Sequence, residues 1–110
     1  MKAVYVQRGN EIDHVPTADV TAGDVVAIGP DLLGMAKLDI KTGELGSLSL
    51  VGVFDMPKET GGGKDIEAGE NVYWDAANQI VTTDNSKQSL GKAIAAASEN
   101  DETVRVRLVQ

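Results

Sequence analysis

His14 is the chain's only histidine, and no cysteine is present. An imidazole moves protons near neutral pH, and together with thiolates it supplies most zinc sites. A lone imidazole is a poor metal site, and a Ser-His-Asp arrangement on His14 would need partners from distant segments. His14 therefore reads as a strand or loop residue without catalysis. The enzyme alternative, a small hydrolase, predicts a pocket joining His14 to an acid and a Ser or Thr.

Gly61-Gly-Gly-Lys64 invites comparison with a phosphate-binding loop. The lysine is followed by Asp65 rather than Ser or Thr, and the glycine required five residues before the last one is absent. No helical pattern follows to offer its N-terminus to a phosphate. A mobile loop is the expectation. Carboxylates are plentiful: Asp19 and Asp24 flank one turn, Glu67 and Glu70 another, and Glu99, Asp101 and Glu102 cluster in a third. Each sits beside Gly, Asn or Ala, where short acidic side chains cap and solvate turns. Glycosidase acids need an apolar or aromatic setting to separate their pKa values, and no calcium-loop pattern is present. The reading is of no catalytic residue, no metal and no cofactor.

Tyr73-Trp74-Asp75 is the one aromatic concentration. In a strand, Tyr73 and Trp74 point to opposite faces, so one fills the core and the other stands outward, with the choice open. Aromatic anchors are common interface hot spots. A carbohydrate- or receptor-binding β-module is a second reading, with Trp74 as its sugar platform.

The elements that must position these residues are written twice. From Ala22 the chain reads Ala-Gly-Asp-Val-Val, then Leu33-Gly-Met-Ala36, Thr42-Gly-Glu44 and the strand Ser47–Val51. From Ala68 it reads Ala-Gly-Glu-Asn-Val-Tyr, then Leu90-Gly-Lys-Ala93, Asn100-Asp-Glu102 and the strand Val104–Val109. Two such units are expected to share one core, because neither is large enough to bury its own. Short strands are expected around Val4–Val6, Ile12–Val15, Val25–Ile28, Leu32–Leu38, Leu48–Phe54, Asn71–Asp75, Gln79–Thr83, Leu90–Ala97 and Val104–Val109. Met56-Pro57 ends the first half, and Asp84–Gln88 is an insertion in the second. Lys92–Ser98 is alanine-rich, which favours helix, but its shortness and the preceding Gly91 favour strand. The fold class is all-β, a small jelly-roll-like sandwich or closed barrel of two related halves, within a single domain over residues 1–110.

The formal net charge is −7. An acidic surface repels phosphates and anionic lipid, so neither nucleic acid nor membrane is an expected partner. Arg105 and Arg107 alternate along one strand and read as a solvated face rather than an anion site. The opening residues lack the apolar run of a signal peptide. A core of small aliphatic residues is modest, which favours an oligomer or an assembly component.

The ordered pieces Tyr5-Val-Gln-x-Gly9, Gly23-Asp-Val-Val26, Leu33-Gly-x-Ala36, Gly52-Val-Phe-Asp-Met-Pro-Lys58, Gly69-Glu-x-Val-Tyr-Trp-Asp75, Leu90-Gly-x-Ala93 and Val104-Arg-Val-Arg-Leu108 resemble the small phage capsid cement family. The same family is known from prophages as a domain of unknown function. The resemblance implies a jelly-roll-like or barrel-like decoration protein on the outer capsid surface of the virion, made in the host cytoplasm. It implies the major capsid protein as partner and a homo-oligomer, dimer or trimer, on the shell. It carries over no catalytic residues. The contact surface expected on this basis is Tyr5, Phe54, Met56, Pro57, Lys58, Tyr73 and Trp74.

Overall fold

The computed structural model describes residues 2–108, and those residues contain nine strands and no helix. The strands are β1 (Glu11–His14), β2 (Val25–Ala27), β3 (Leu33–Ala36), β4 (Gly46–Ser49), β5 (Gly52–Pro57), β6 (Asn71–Asp75), β7 (Ile80–Thr82), β8 (Gln88–Ala93) and β9 (Thr103–Leu108). They form two sheets, one ordered β1-β4-β3-β2 and the other β5-β9-β8-β6-β7. The chain divides into two compact units: residues up to Val26 with Gly34–Leu50, and Ala27–Leu33 with the residues from Val51 onward.

The doubled phrase is a doubled structure. β1, β4, β3 and β2 occupy in the first sheet the places of β5, β9, β8 and β6 in the second, and β7 is the additional strand. Two backbone hydrogen bonds of 2.8 Å join Val20 to Ile40, and two of 2.9 Å join Ile66 to Ala97. The Gly23 N–H donates to Ala36 O (2.7 Å), and the Gly69 N–H donates to Ala93 O (2.6 Å). Both glycines hold φ near +90° (94° and 86°), a region that L side chains disfavour. This conformation turns each glycine's amide onto the strand it must pair with.

The first unit carries a small apolar cluster of its own. Ala36, Ile40 and Leu48 are buried, with Ile12, Val20 and Val26 packed against them. All six residues belong to the first unit. In the second unit, β9 alternates as period 2 requires: Val104, Val106 and Leu108 are buried, while Thr103, Arg105 and Arg107 are exposed.

Several expected boundaries shift. The division between halves falls after Leu50, not at Met56-Pro57, because β5 pairs with β9 in the second sheet. Pro57 lies on edge strand β5, where its missing N–H is tolerated. Val4–Val6 is not a strand; these side chains are exposed and no neighbouring strand takes up their backbone. The alanine-rich stretch is strand only to Ala93, after which it bends and rejoins Ile66 through Ala97. No sheet closes into a barrel, which removes that form of the expected fold. The second sheet nevertheless curls until its two edges touch once, at a parallel bridge between Lys58 and Val81.

A Cβ built on Gly34 would lie 2.8 Å from the Leu48 Cβ, an atom with no flexible end to yield. Gly34→Ala is expected to destabilise the chain by about 1–3 kcal/mol in urea unfolding. Gly62→Ala, with nothing within 4 Å, should stay within about 0.5 kcal/mol of the parent.

Candidate interaction surface

The acidic turns hold themselves together. The Asp24 carboxylate accepts from the Thr21 N–H (2.9 Å), the Glu70 carboxylate from the Glu67 N–H (2.9 Å), and the Asp101 carboxylate from the Ser98 N–H (2.8 Å). Asp19 accepts from both the amide and the hydroxyl of Thr42, at 2.9 and 2.8 Å. Asp24, Glu70 and Asp101 are turn caps, as their neighbours in the sequence predict, whereas Asp19 ties its turn to a distant one at Thr42. Among the described residues, no three His, Cys, Asp or Glu side chains come close enough to hold a metal.

The glycine-rich loop is tied down. The Gly61 N–H donates to Glu99 O (2.9 Å) and the Gly63 N–H to a Glu99 carboxylate oxygen (3.3 Å). Two of its amides thus bond Glu99 of the same chain, one at the backbone carbonyl and one at the carboxylate. His14 is half-buried in β1 opposite Gly46, and it makes no hydrogen bond to an acid or hydroxyl among the described residues. The hydrolase arrangement is not assembled.

The aromatic question is answered by burial. Trp74 is 5% exposed, while Tyr73 is half-buried and lies opposite Ser89 and Thr82. A buried indole offers no stacking platform to a sugar, so the lectin reading loses its only candidate. Tyr5 is 81% exposed, Pro57 is exposed and Phe54 is half-buried. Met56 and Lys58 are buried at 1% and 4%, so as the chain stands they have almost no area for a partner.

Lys58 has an internal role instead. Its Nζ donates to Glu59 O (2.7 Å) and Asp101 O (3.3 Å), beside the point where the edges of the second sheet meet. Thr82 at the same seam donates its hydroxyl to Glu59 Oε1 (2.8 Å). A buried ammonium is tolerated only where acceptors surround it. The sequence offered no signal for this, because the Asp101 carbonyl comes from a turn far along the chain.

What the second unit turns outward is a mixed face on β5, β9, β8 and β6. Register sets Val53 beside Arg107, Arg107 beside Lys92, and Lys92 beside Asn71 in one row. In the next row Asp55 faces Arg105, with Nε to Oδ1 at 2.9 Å and a second guanidinium bond at 3.2 Å. Val53 and Ile94 are among the exposed apolar residues, about half accessible each. Arg107 and Lys92 form no ion pair among the described residues, although Lys92 Nζ donates to Asn71 Oδ1 (2.8 Å).

Four carboxyls are held below their usual range. Hydrogen bonds are the leading cause in each: from the Thr42 amide to Asp19, Arg105 to Asp55, the Asn78 side chain to Asp75, and the Ser86 amide to Asp84. Each group is a stronger acid folded than unfolded, so the unfolded chain binds protons first on acidification. Stability is expected to be level above about pH 5 and to fall as pH drops through about 4 and below, as read by thermal melts across pH. Lys58→Met should cost about 1–3 kcal/mol by leaving its carbonyls without their buried donor, whereas Lys64→Met, at an exposed pair, should cost less than about 1 kcal/mol.

A family model described as phage cement protein matches residues 6–108. No curated protein and no solved structure matches the chain.

Proposed function

The chain belongs to the phage cement protein family, and from that membership we propose that it binds the outer surface of an assembled phage head and stabilises contacts between major capsid subunits. The observation that carries this reading is the match itself, which spans all the described strands. The role is structural and asks for no turnover, only for surface that fits a neighbour. Its location on this reading is the outside of the virion, after synthesis in the host cytoplasm, and residues 1–110 act as one cement module.

Physical considerations support the reading. Decorating a lattice needs many moderate contacts, because each copy is held by geometry repeated over the shell. Two hydrogen-bonded sheets resist shear, since sliding a strand breaks its whole ladder at once. Net negative charge keeps free copies apart before they find the shell. On the shell the chain is proposed to form a dimer or trimer, adding area to the modest contact of one copy.

The contact set is narrower than the sequence motif. Tyr5, Phe54, Pro57 and Tyr73 have accessible side chains and are proposed to touch the shell. Met56, Lys58 and Trp74 act beneath them, by holding β5 and β6 in shape.

Co-sedimentation with empty heads of the phage that carries this chain tests the reading. The unaltered chain should pellet with the heads, and Tyr5→Ala should weaken that binding by about tenfold, ~1.4 kcal/mol, with no change in its own unfolding midpoint. A chain that stays in the supernatant at every head concentration would remove the function.

A further inference from the structure

We infer that the outward face of β8 and β9, centred on Arg107 and Lys92, also docks on the shell, and that it takes an acidic patch of a capsid subunit. The inference rests on the cement reading and adds to it a further face and what chemistry it meets. It begins from a conflict in the free chain. Register sets Lys92 directly opposite Arg107. Like charges facing each other across two strands destabilise a sheet. Lys92 Nζ donates to the side-chain Oδ1 of Asn71 on β6, and no carboxylate pairs with either cation among the described residues. The neighbouring Arg105 differs: Asp55 satisfies it with two hydrogen bonds. The unbalanced charge on this face is therefore localised on two adjacent side chains.

The surroundings suit a protein partner. Val53 stands beside Arg107 at 52% exposure, and Ile94, whose N–H bonds Arg105 O, is 47% exposed. Arginine among accessible apolar side chains is the composition of an interface centre, not of a merely solvated strand. The two cations call for local acidic groups, and the apolar side chains beside them suit those groups on a protein rather than on a uniformly charged polymer or lipid surface. A second copy meeting this face symmetrically would bring the same cations together, which disfavours self-docking here.

Head binding and thermal unfolding of Arg107→Glu, measured side by side, test the inference. The reversal sets a glutamate opposite Lys92, so the free variant should unfold at a higher temperature while binding empty heads about tenfold or more weakly. Arg107→Gln should weaken binding by a smaller factor, and added salt should weaken the unaltered chain more than either variant. Lys41→Glu, an exposed reversal in the first unit, should bind as the parent does. If both Arg107 variants bind heads like the parent, this face is not a docking surface and the cement reading survives. If the unaltered chain does not bind heads, both fail. Binding of the parent to double-stranded DNA, or a dimer in sedimentation that Arg107→Glu abolishes, would assign the face to another occupant and overturn the inference.

Discussion

Each half of this chain depends on a pair of reciprocal backbone hydrogen bonds made outside the named strands, Val20 with Ile40 and Ile66 with Ala97. A polar backbone cannot enter an apolar layer unless its N–H and C=O groups are matched. These bridges, with the glycine amides that reach Ala36 and Ala93, match them where the chain passes from turn to strand. Ile40 and Ala97 are buried beside their bridges, so backbone pairing and apolar burial are won at the same residues. The acidic caps of Asp24 and Glu70 then set the turn that aims each glycine. Period-2 alternation of the strands has a consequence only once those crossings are fixed.

Much of this was legible in the residues. Ala-Gly-Asp and Ala-Gly-Glu announce their turns because only glycine tolerates the required φ, and the acid two residues beyond Ala caps the turn locally. Leu-Gly-x-Ala occurs at both central strands and is buried at its Leu, Gly and Ala in both. Local chemistry thus reads well. Long-range pairing does not. Val4–Val6 has the composition of a strand but lacks a partner edge, and the boundary between halves moves from Met56-Pro57 to Leu50 because β5 pairs with β9, some fifty residues away. The burial of Lys58 was equally hidden: lysine is ordinarily solvated, and its acceptors come from Glu59 and a distant turn. The same motif, Phe54 to Lys58, therefore mixes accessible and interior residues, which no family pattern could separate.

The capped acids and the exposed sheet face bear on one picture. Asp24, Glu70 and Asp101 cap their turns, and the Gly61 and Gly63 amides bond Glu99. The second unit also turns outward a sheet face on which Arg107 and Lys92 sit opposite each other, flanked in their row by Val53 and Asn71. Stability given up at a surface position is often the mark of a surface used by something else. The proposed cement role and the proposed docking face join at this point, since a fastener would need fit and charge rather than a pocket.

Cryo-electron microscopy of heads reconstituted with this chain bears most directly on that picture. The account predicts density for the chain outside the shell, lying across the boundary between neighbouring capsid subunits, with β8 and β9 turned toward acidic side chains of the shell. Heads without such density, or density confined to the shell's interior, would contradict it.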